Sequence, residues 1–155
     1  MTIIETLMKT ELVTAAADET VAHAAWSMAR NEVGAVLVIE EERLVGVLSE
    51  RDVVARIVAE GSDPTQVRVV DAATANVVAV DVGASVRECA ELLQAKGIRH
   101  LPVLRDGKPV GVLSSRDFFA FVVEELQQLV ERGQYQRALD EGQDPYDHLG
   151  GSYGS

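Results

Sequence analysis

The sequence predicts an α/β chain, more strictly α+β, in which two β-α-β-β-α copies pack as a pseudo-twofold pair. Three observations lead there. Residues 45–52 read Val-Gly-Val-Leu-Ser-Glu-Arg-Asp and residues 110–117 read Val-Gly-Val-Leu-Ser-Ser-Arg-Asp, differing only at Glu50 and Ser115. Gly46 and Gly111 lie 65 residues apart, and that register holds ungapped in both directions, with Val21 on Val86, Ala25 on Ala90, Val38 on Val103 and Ala55 on Ala120. Within each copy the apolar spacing alternates between helical stripes and short β-branched runs. Two copies are fewer than a solenoid needs, so they bury their faces against each other or against a second chain.

Taken in order, residues 2–8 form a short helix with Ile3, Ile4, Leu7 and Met8 on one face. Residues 12–14 are a short strand, 16–19 a loop, and Thr20 an N-cap. A helix follows over 21–31, because Val21, Ala24, Ala25 and Met28 make one stripe. Its counterpart carries Val86, Cys89, Ala90 and Leu93, with Ser85 and Glu88 as a capping box. The outer faces differ: Ala22, Trp26 and Ala29 replace Arg87, Glu91 and Gln94. The apolar patch around Trp26 packs on the N-terminal segment or, in the preferred reading, contacts a second chain.

Residues 33–39 read as a buried strand, Glu40, Glu41 and Glu42 as a solvated turn, and 44–48 as the antiparallel return, giving a small sheet covered on one side. Asp106-Gly107 is the equivalent hairpin signal. Ser49-x-x-Asp52 starts a helix over about 50–60, which Gly61-Ser62-Asp63-Pro64 stops. Residues 65–75 bridge the copies, and 77–80 open the second. The last helix starts near Arg116 and runs further than its counterpart, with Phe118, Val122, Leu126 and Leu129 in a stripe that Phe119, Val123 and Val130 widen. It is too apolar to stand alone in water, so it lies under its own module or pairs with a second chain. Gly133 breaks the pattern, Tyr135, Ala138 and Leu139 suggest another turn or two, and residues 142–155, with Tyr146, Leu149 and Tyr153, read as a tail. The expected divisions are 1–64, 65–132 and 133–155.

The chain has 155 residues, 47% of them hydrophobic and only 5% aromatic, which is enough for a core of Val, Leu, Ala and Ile. Its formal net charge of −11 argues against nucleic acid, whose phosphates it repels. No window reaches a membrane span, the start lacks a signal-peptide core, and the one cysteine, on a core stripe, precludes an internal disulfide; a cytoplasmic location is expected. Catalysis is not in view. His23, His100 and His148 have no metal-spaced mates, and no Gly-x-Ser-x-Gly elbow or phosphate loop occurs. Ser-x-x-Asp alone usually only caps a helix. Two copies at one offset, each with a preceding Gly and the same Arg, point further, to a shared binding role at helix N-termini. Gly46 and Gly111 let a ligand or another backbone approach closely.

These residues resemble a tandem pair of CBS domains, named for cystathionine β-synthase, the arrangement called a Bateman module. The family pattern Gly-hydrophobic-x-(Ser/Thr)-x-x-(Asp/Asn) is met by Gly46, Ser49 and Asp52 and by Gly111, Ser114 and Asp117. The family's His-hydrophobic-Pro-Val strand is met by His100-Leu101-Pro102-Val103, and its Met-Thr leader is half kept in Met8-Lys9 and Ala73-Thr74. The likeness covers about residues 1–130. It implies that Asp52 and Asp117 accept hydrogen bonds from ribose hydroxyls, while Ser49 and Ser114 hold ribose or phosphate. The purine would lie among Val33, Ala35 and Val36 in one copy and Ile98, His100, Leu101 and the adjoining Pro102 in the other. Arg99 and His100 would meet phosphate; Arg51 and Arg116 either reach the anion or pair with nearby acids.

The implied function is regulatory, without catalysis or a cofactor: an adenosine-containing ligand (AMP, ADP, ATP or a related adenosyl compound) bound between the copies. A second copy of the chain and an unidentified effector protein are the expected partners. The cleft with Arg99, His100, Ser114, Arg116 and Asp117 should prefer phosphorylated adenosine; that with Ser49 and Asp52 should bind weakly, bind an uncharged adenosyl group, or stay empty. The rivals are a ligand-free adaptor working through the Trp26 face or the last helix and, behind it, a small enzyme.

Overall fold

A computed structural model describes residues 1–142. Of the expected tail, only Gly142 falls within that range; Tyr146, His148, Leu149 and Tyr153 lie outside the described residues. The chain divides into two compact units, Met1–Arg116 and a second beginning at Asp117. Among the described residues, no helix is long and apolar enough to cross a membrane.

In the first unit, α1 (Ile3–Leu7) precedes β1 (Thr14–Ala16), α2 (Val21–Asn31), β2 (Ala35–Glu40), β3 (Arg43–Ser49) and α3 (Glu50–Val53), which continues as one turn of π-helix, Val54–Val58. The second copy then supplies α4 (Val69–Ala72), β4 (Val80–Asp81), α5 (Val86–Lys96), β5 (His100–Arg105) and β6 (Lys108–Ser114). The first strand lies two residues later than its apolar run suggests, where its backbone pairs in parallel with β2. Each copy makes one three-stranded sheet, ordered β1-β2-β3 and β4-β5-β6. The registers match: Val36 faces Leu48 as Leu101 faces Leu113, and the ladder shifts at Val38/Ile39 as at Val103/Leu104. Thr20, Ser49 and Ser85 cap their helices through side-chain oxygens.

The expectation of a sheet covered on one side fails at the central strands. Val36, Leu37 and Val38 are all buried, as are Leu101, Pro102 and Val103, so both faces are covered. Val36, Val38 and Leu48 pack with Val21, Ala24 and Met28 of α2. Cys89 is buried, and desolvation pushes its thiol pKa up, in keeping with a core role.

The leader of each copy crosses to the other. Val69 and Ala72 of α4 belong to the first copy's core. Thr74 exchanges two backbone hydrogen bonds with Val47, at 2.9 and 3.1 Å, and the Arg56 guanidinium donates to the Ala72 carbonyl at 2.7 Å. At the other end, Lys9 exchanges the same pair with Val112, at 2.9 and 3.0 Å. The Thr2 hydroxyl donates to the Val82 carbonyl at 2.8 Å, and Glu5 pairs with Arg105 at 2.7 Å. The repeated glycines therefore admit another backbone. A Cβ on Gly46 would stand 3.2 Å from both the Ala73 Cβ and the Thr74 carbonyl oxygen; one on Gly111 would stand 2.5 Å from the Met8 sulfur and 3.1 Å from the Lys9 carbonyl oxygen.

The second unit is the greater part of α6 (Ser115–Asp140), a single helix of 26 residues. Gly133 does not end it, contrary to the sequence expectation. One interior glycine costs about 1 kcal/mol relative to alanine, and the flanking Glu131, Arg132, Gln134 and Gln136 are good helix formers. The helix gives way to a turn at Glu141, before Gly142 with its positive φ of 71°.

Two outcomes follow from this packing. Gly46→Ala should lower stability by about 1–3 kcal/mol, seen as a lower urea midpoint at unchanged slope, because neither Ala73 nor the Thr74 main chain can swing away. At the first hairpin, Glu41 and Glu42 hold φ of 49° and 64°, in the left-handed region. Replacing them with Asn-Gly should raise stability by roughly 1 kcal/mol, measured as an increase in Tm.

Candidate functional site

A cleft of about 320 Å³ opens where the two copies meet. One wall is the start of α3: Ser49, Glu50, Arg51 and Asp52. The other is the end of α5 and the approach to β5: Lys96, Gly97, Ile98, Arg99 and His100. The crossing leader closes it with Thr74, Asn76, Val77 and Val78. Each wall follows from local sequence. Ser49 ends β3 and caps α3: its hydroxyl accepts from the Asp52 amide at 3.1 Å, while Asp52 Oδ2 accepts from the Ser49 amide at 2.9 Å. Gly97, at φ 59°, ends α5 in the left-handed region and turns the chain into β5.

Polar groups of both signs converge. Lys96, Arg99 and Arg51 bring cations; Glu50 and Asp52 bring carboxylates. Asp52 Oδ1 lies 3.7 Å from Arg56, which also donates to the Thr74 hydroxyl at 3.3 Å. The His100 ring fits against Gly34: a Cβ there would stand 3.1 Å from its Cε1 and Nε2 and 3.3 Å from a Glu50 carboxylate oxygen. Burial lowers the His100 pKa; the Glu50 charge opposes that shift, and Arg99 and Lys9 reinforce it.

Of the residues expected to bind, Ser49, Arg51, Asp52, Ile98, Arg99 and His100 come together here. Val36, Leu101 and Pro102 do not: all three side chains are fully buried in the covered central strands. Ser114 pairs with His100 across the β5–β6 ladder, but neither it nor Arg116 lines this cleft; Asp117 begins the second unit. Arg99 and His100 thus share this cleft with the first motif, while His100 also pairs with Ser114 of the second. The physical reason is that the cleft takes its helix start from one copy and its strand approach from the other. Sequence reasoning missed Glu50, Lys96, Thr74 and Asn76. The one mismatch between the repeated octets marks Glu50, and Lys96 stands 65 residues after the uncharged Asn31.

A second, wider cleft of about 570 Å³ repeats the strand-side wall in the first copy. Glu11, Asn31 and Glu32 take the places of Asn76, Lys96 and Gly97. The first cleft sets Arg51, Lys96 and Arg99 against Glu50 and Asp52, whereas this one sets Lys9 against Glu11 and Glu32. Trp26 is 57% exposed, with His23 stacked at 5.8 Å and the Arg30 guanidinium 5.4 Å from its ring centre, rather than covered by the N-terminal segment.

Comparison with known proteins places this geometry. The CBS domain family matches residues 4–59 and 69–124. An uncharacterized protein of Methanopyrus kandleri, MK0525, is 31% identical over 109 residues, covering 69% of this chain and 56% of that one, so the chain spans little more than half that relative's length. Among solved structures, a putative signal-transduction protein with CBS domains from Burkholderia ambifaria MC40-6 is 30% identical, with a TM-score of 0.74 over 80% of this chain and 95% of that one. The CBS domain protein PAE2072 from Pyrobaculum aerophilum, complexed with AMP, is 31% identical, with a TM-score of 0.68 over 74% of this chain and 88% of that one. The duplicated sheet, the repeated Gly-x-x-Ser-x-x-Asp motif and these matches agree: the chain belongs to the CBS domain family and carries two tandem copies of the domain.

Proposed function

We propose that the chain is a regulatory module that binds a phosphorylated adenosine, AMP, ADP or ATP, in the cleft between Ser49–Asp52 and Lys96–His100. The observation that carries this reading is the meeting, in one cleft, of a hydroxyl and an acid suited to a ribose with Arg51, Lys96 and Arg99 suited to a phosphate. In a chain of net charge −11, such a local excess of cations is what an anionic ligand needs. The AMP complex of the Pyrobaculum relative supports the choice of ligand. The second cleft, with Glu11 and Glu32, disfavours phosphate and takes an uncharged adenosyl group or nothing. Regulation then requires the ligand to bind two arrangements of the protein unequally, with a second copy or an effector protein reading the difference.

A rival reading, an adaptor that binds a protein without a small ligand, is favoured by one observation, the exposed Trp26 with its stacked His23 and Arg30. Calorimetric titration separates the two. AMP should bind more tightly than adenosine. Arg99→Ala should weaken AMP by about tenfold or more, the worth of a hydrogen bond to a charged group, and leave adenosine unchanged. Asp52→Asn keeps an oxygen for the cap and should weaken both ligands. Equal affinity for AMP and adenosine, or no binding of either, removes the nucleotide reading.

His100 supplies a pH dependence. Its folded pKa lies below the usual histidine value of 6.5, so the unfolded chain binds the proton more readily. The stability due to neutral His100 is complete above that value and is lost as the pH falls through it towards the lower folded pKa. Between about pH 7.5 and 5.5, the urea midpoint should drop further in the wild type than in His100→Gln.

A further inference from the structure

One residue differs between the two copies of the octet, and it stands in the cleft. Glu50 lines the cleft, where the second copy has Ser115 at the equivalent place. The fold does not call for the glutamate. The Glu50 amide donates to the Gly34 carbonyl at 2.9 Å and the Ser115 amide to the Arg99 carbonyl at 2.8 Å, so the two helix starts are anchored alike. Glu50 is exposed, and the cap of α3 is made by Ser49 and Asp52. Asp52 also supplies an acid to the first turn, where the helix dipole favours one.

What the Glu50 carboxylate meets is the wall of the other copy. A Cβ on Gly34 would lie 3.3 Å from a Glu50 carboxylate oxygen and 3.1 Å from Cε1 and Nε2 of His100, so acid and ring close on the same point. The Glu50 charge reaches that ring, raising its pKa against the effect of burial. Charge then sets a limit on the ligand. Arg51, Lys96 and Arg99 are the lining cations. Asp52 is countered by Arg56 at 3.7 Å, which leaves Glu50 as the lining carboxylate set against them. Three cations less one anion leave about two positive charges. A phosphomonoester carries about −1.5 to −2 at neutral pH. Every further phosphoryl group brings negative charge that the cleft has no cation left to meet. Space agrees, because 320 Å³ is near the lower end of the roughly 300–1,000 Å³ of small-molecule sites.

We propose that Glu50 is a specificity-determining residue whose charge holds the cleft to one phosphate, so that AMP is bound in preference to ADP and ATP. The carboxylate acts as a tethered anion beside His100 and among the lining cations, and it repels the second and third phosphates of a longer ligand. This assignment rests on the nucleotide reading of the same cleft and narrows it to a monophosphate.

The test is calorimetric titration of the full chain with AMP, ADP and ATP, at about pH 7.5, above the second phosphate pKa, and with EDTA to keep the polyphosphates free of metal. Two variants are compared with the wild type. Glu50→Gln removes the charge and keeps the shape; Glu50→Ser copies the second motif, whose backbone is anchored in the same way. The wild type should bind AMP about tenfold more tightly than ATP, with ADP between them. Both variants should strengthen ATP by about tenfold and AMP by a smaller factor, as expected when a like charge is removed, so the preference narrows. A wild type that binds ATP as tightly as AMP overturns the assignment and leaves the nucleotide reading standing. So does an ATP-to-AMP ratio unmoved in Glu50→Gln, even if Glu50→Ser shifts it, since the bar would then be one of space. Binding of none of the three overturns both.

Discussion

The fold depends on the crossing of two leaders over two glycines. Each sheet receives an extra backbone pairing from the segment that begins the other copy, Thr74 on Val47 and Lys9 on Val112. That pairing brings main chain so close to Gly46 and Gly111 that a Cβ would stand only 3.2 and 3.1 Å from the crossing carbonyl oxygens. The first copy is not complete without the second, because Val69 and Ala72 fill a core that α2, β2 and β3 leave open. The glycine of the repeated motif is therefore a packing residue first. Its chemical consequence is indirect: by seating the leader it places Thr74 and Asn76 along the edge of the cleft.

The cleft gathers three cations in a chain of net charge −11. Two cations come from the second copy, Lys96 and Arg99, and one from the first, Arg51. Glu50 and Asp52 temper that charge, and Asp52 is itself held by the Ser49 cap and by Arg56. Capping does not withdraw Ser49 and Asp52 from the cleft. The hydrogen bonds that satisfy the helix start also fix the orientation of the hydroxyl and the carboxylate that face the cleft. His100 enters from the other copy because its counterpart wall ends in Gly34, which has no side chain to exclude the ring.

Duplication also allows divergence. The two strand-side walls share a backbone plan, yet Lys96 stands where the first copy has Asn31, and Glu11 stands where the second has Asn76. Such exchanges change the sign of a cleft without touching the core, since they lie on exposed helix ends and loops.

Much of this is legible in the chain. The ungapped offset reveals the duplication, the apolar stripes locate α2 and α5, and Ser-x-x-Asp and Asp-Gly mark a cap and a turn, because each depends on residues close in sequence. Gly133 misleads about the end of α6, since the local cost of one glycine is smaller than the helix-forming tendency of its neighbours. Residues 33–39 read as a buried strand, yet Val36, Leu101 and Pro102 also read as purine contacts; the covering of the second sheet face, which leaves no period in the strand itself, is what keeps their side chains in the core. Which helix start shares a cleft with Arg99 and His100 was decided by tertiary structure alone. The two walls lie far apart along the chain, and the exchange of leaders that brings them together is a long-range pairing that local spacing does not record.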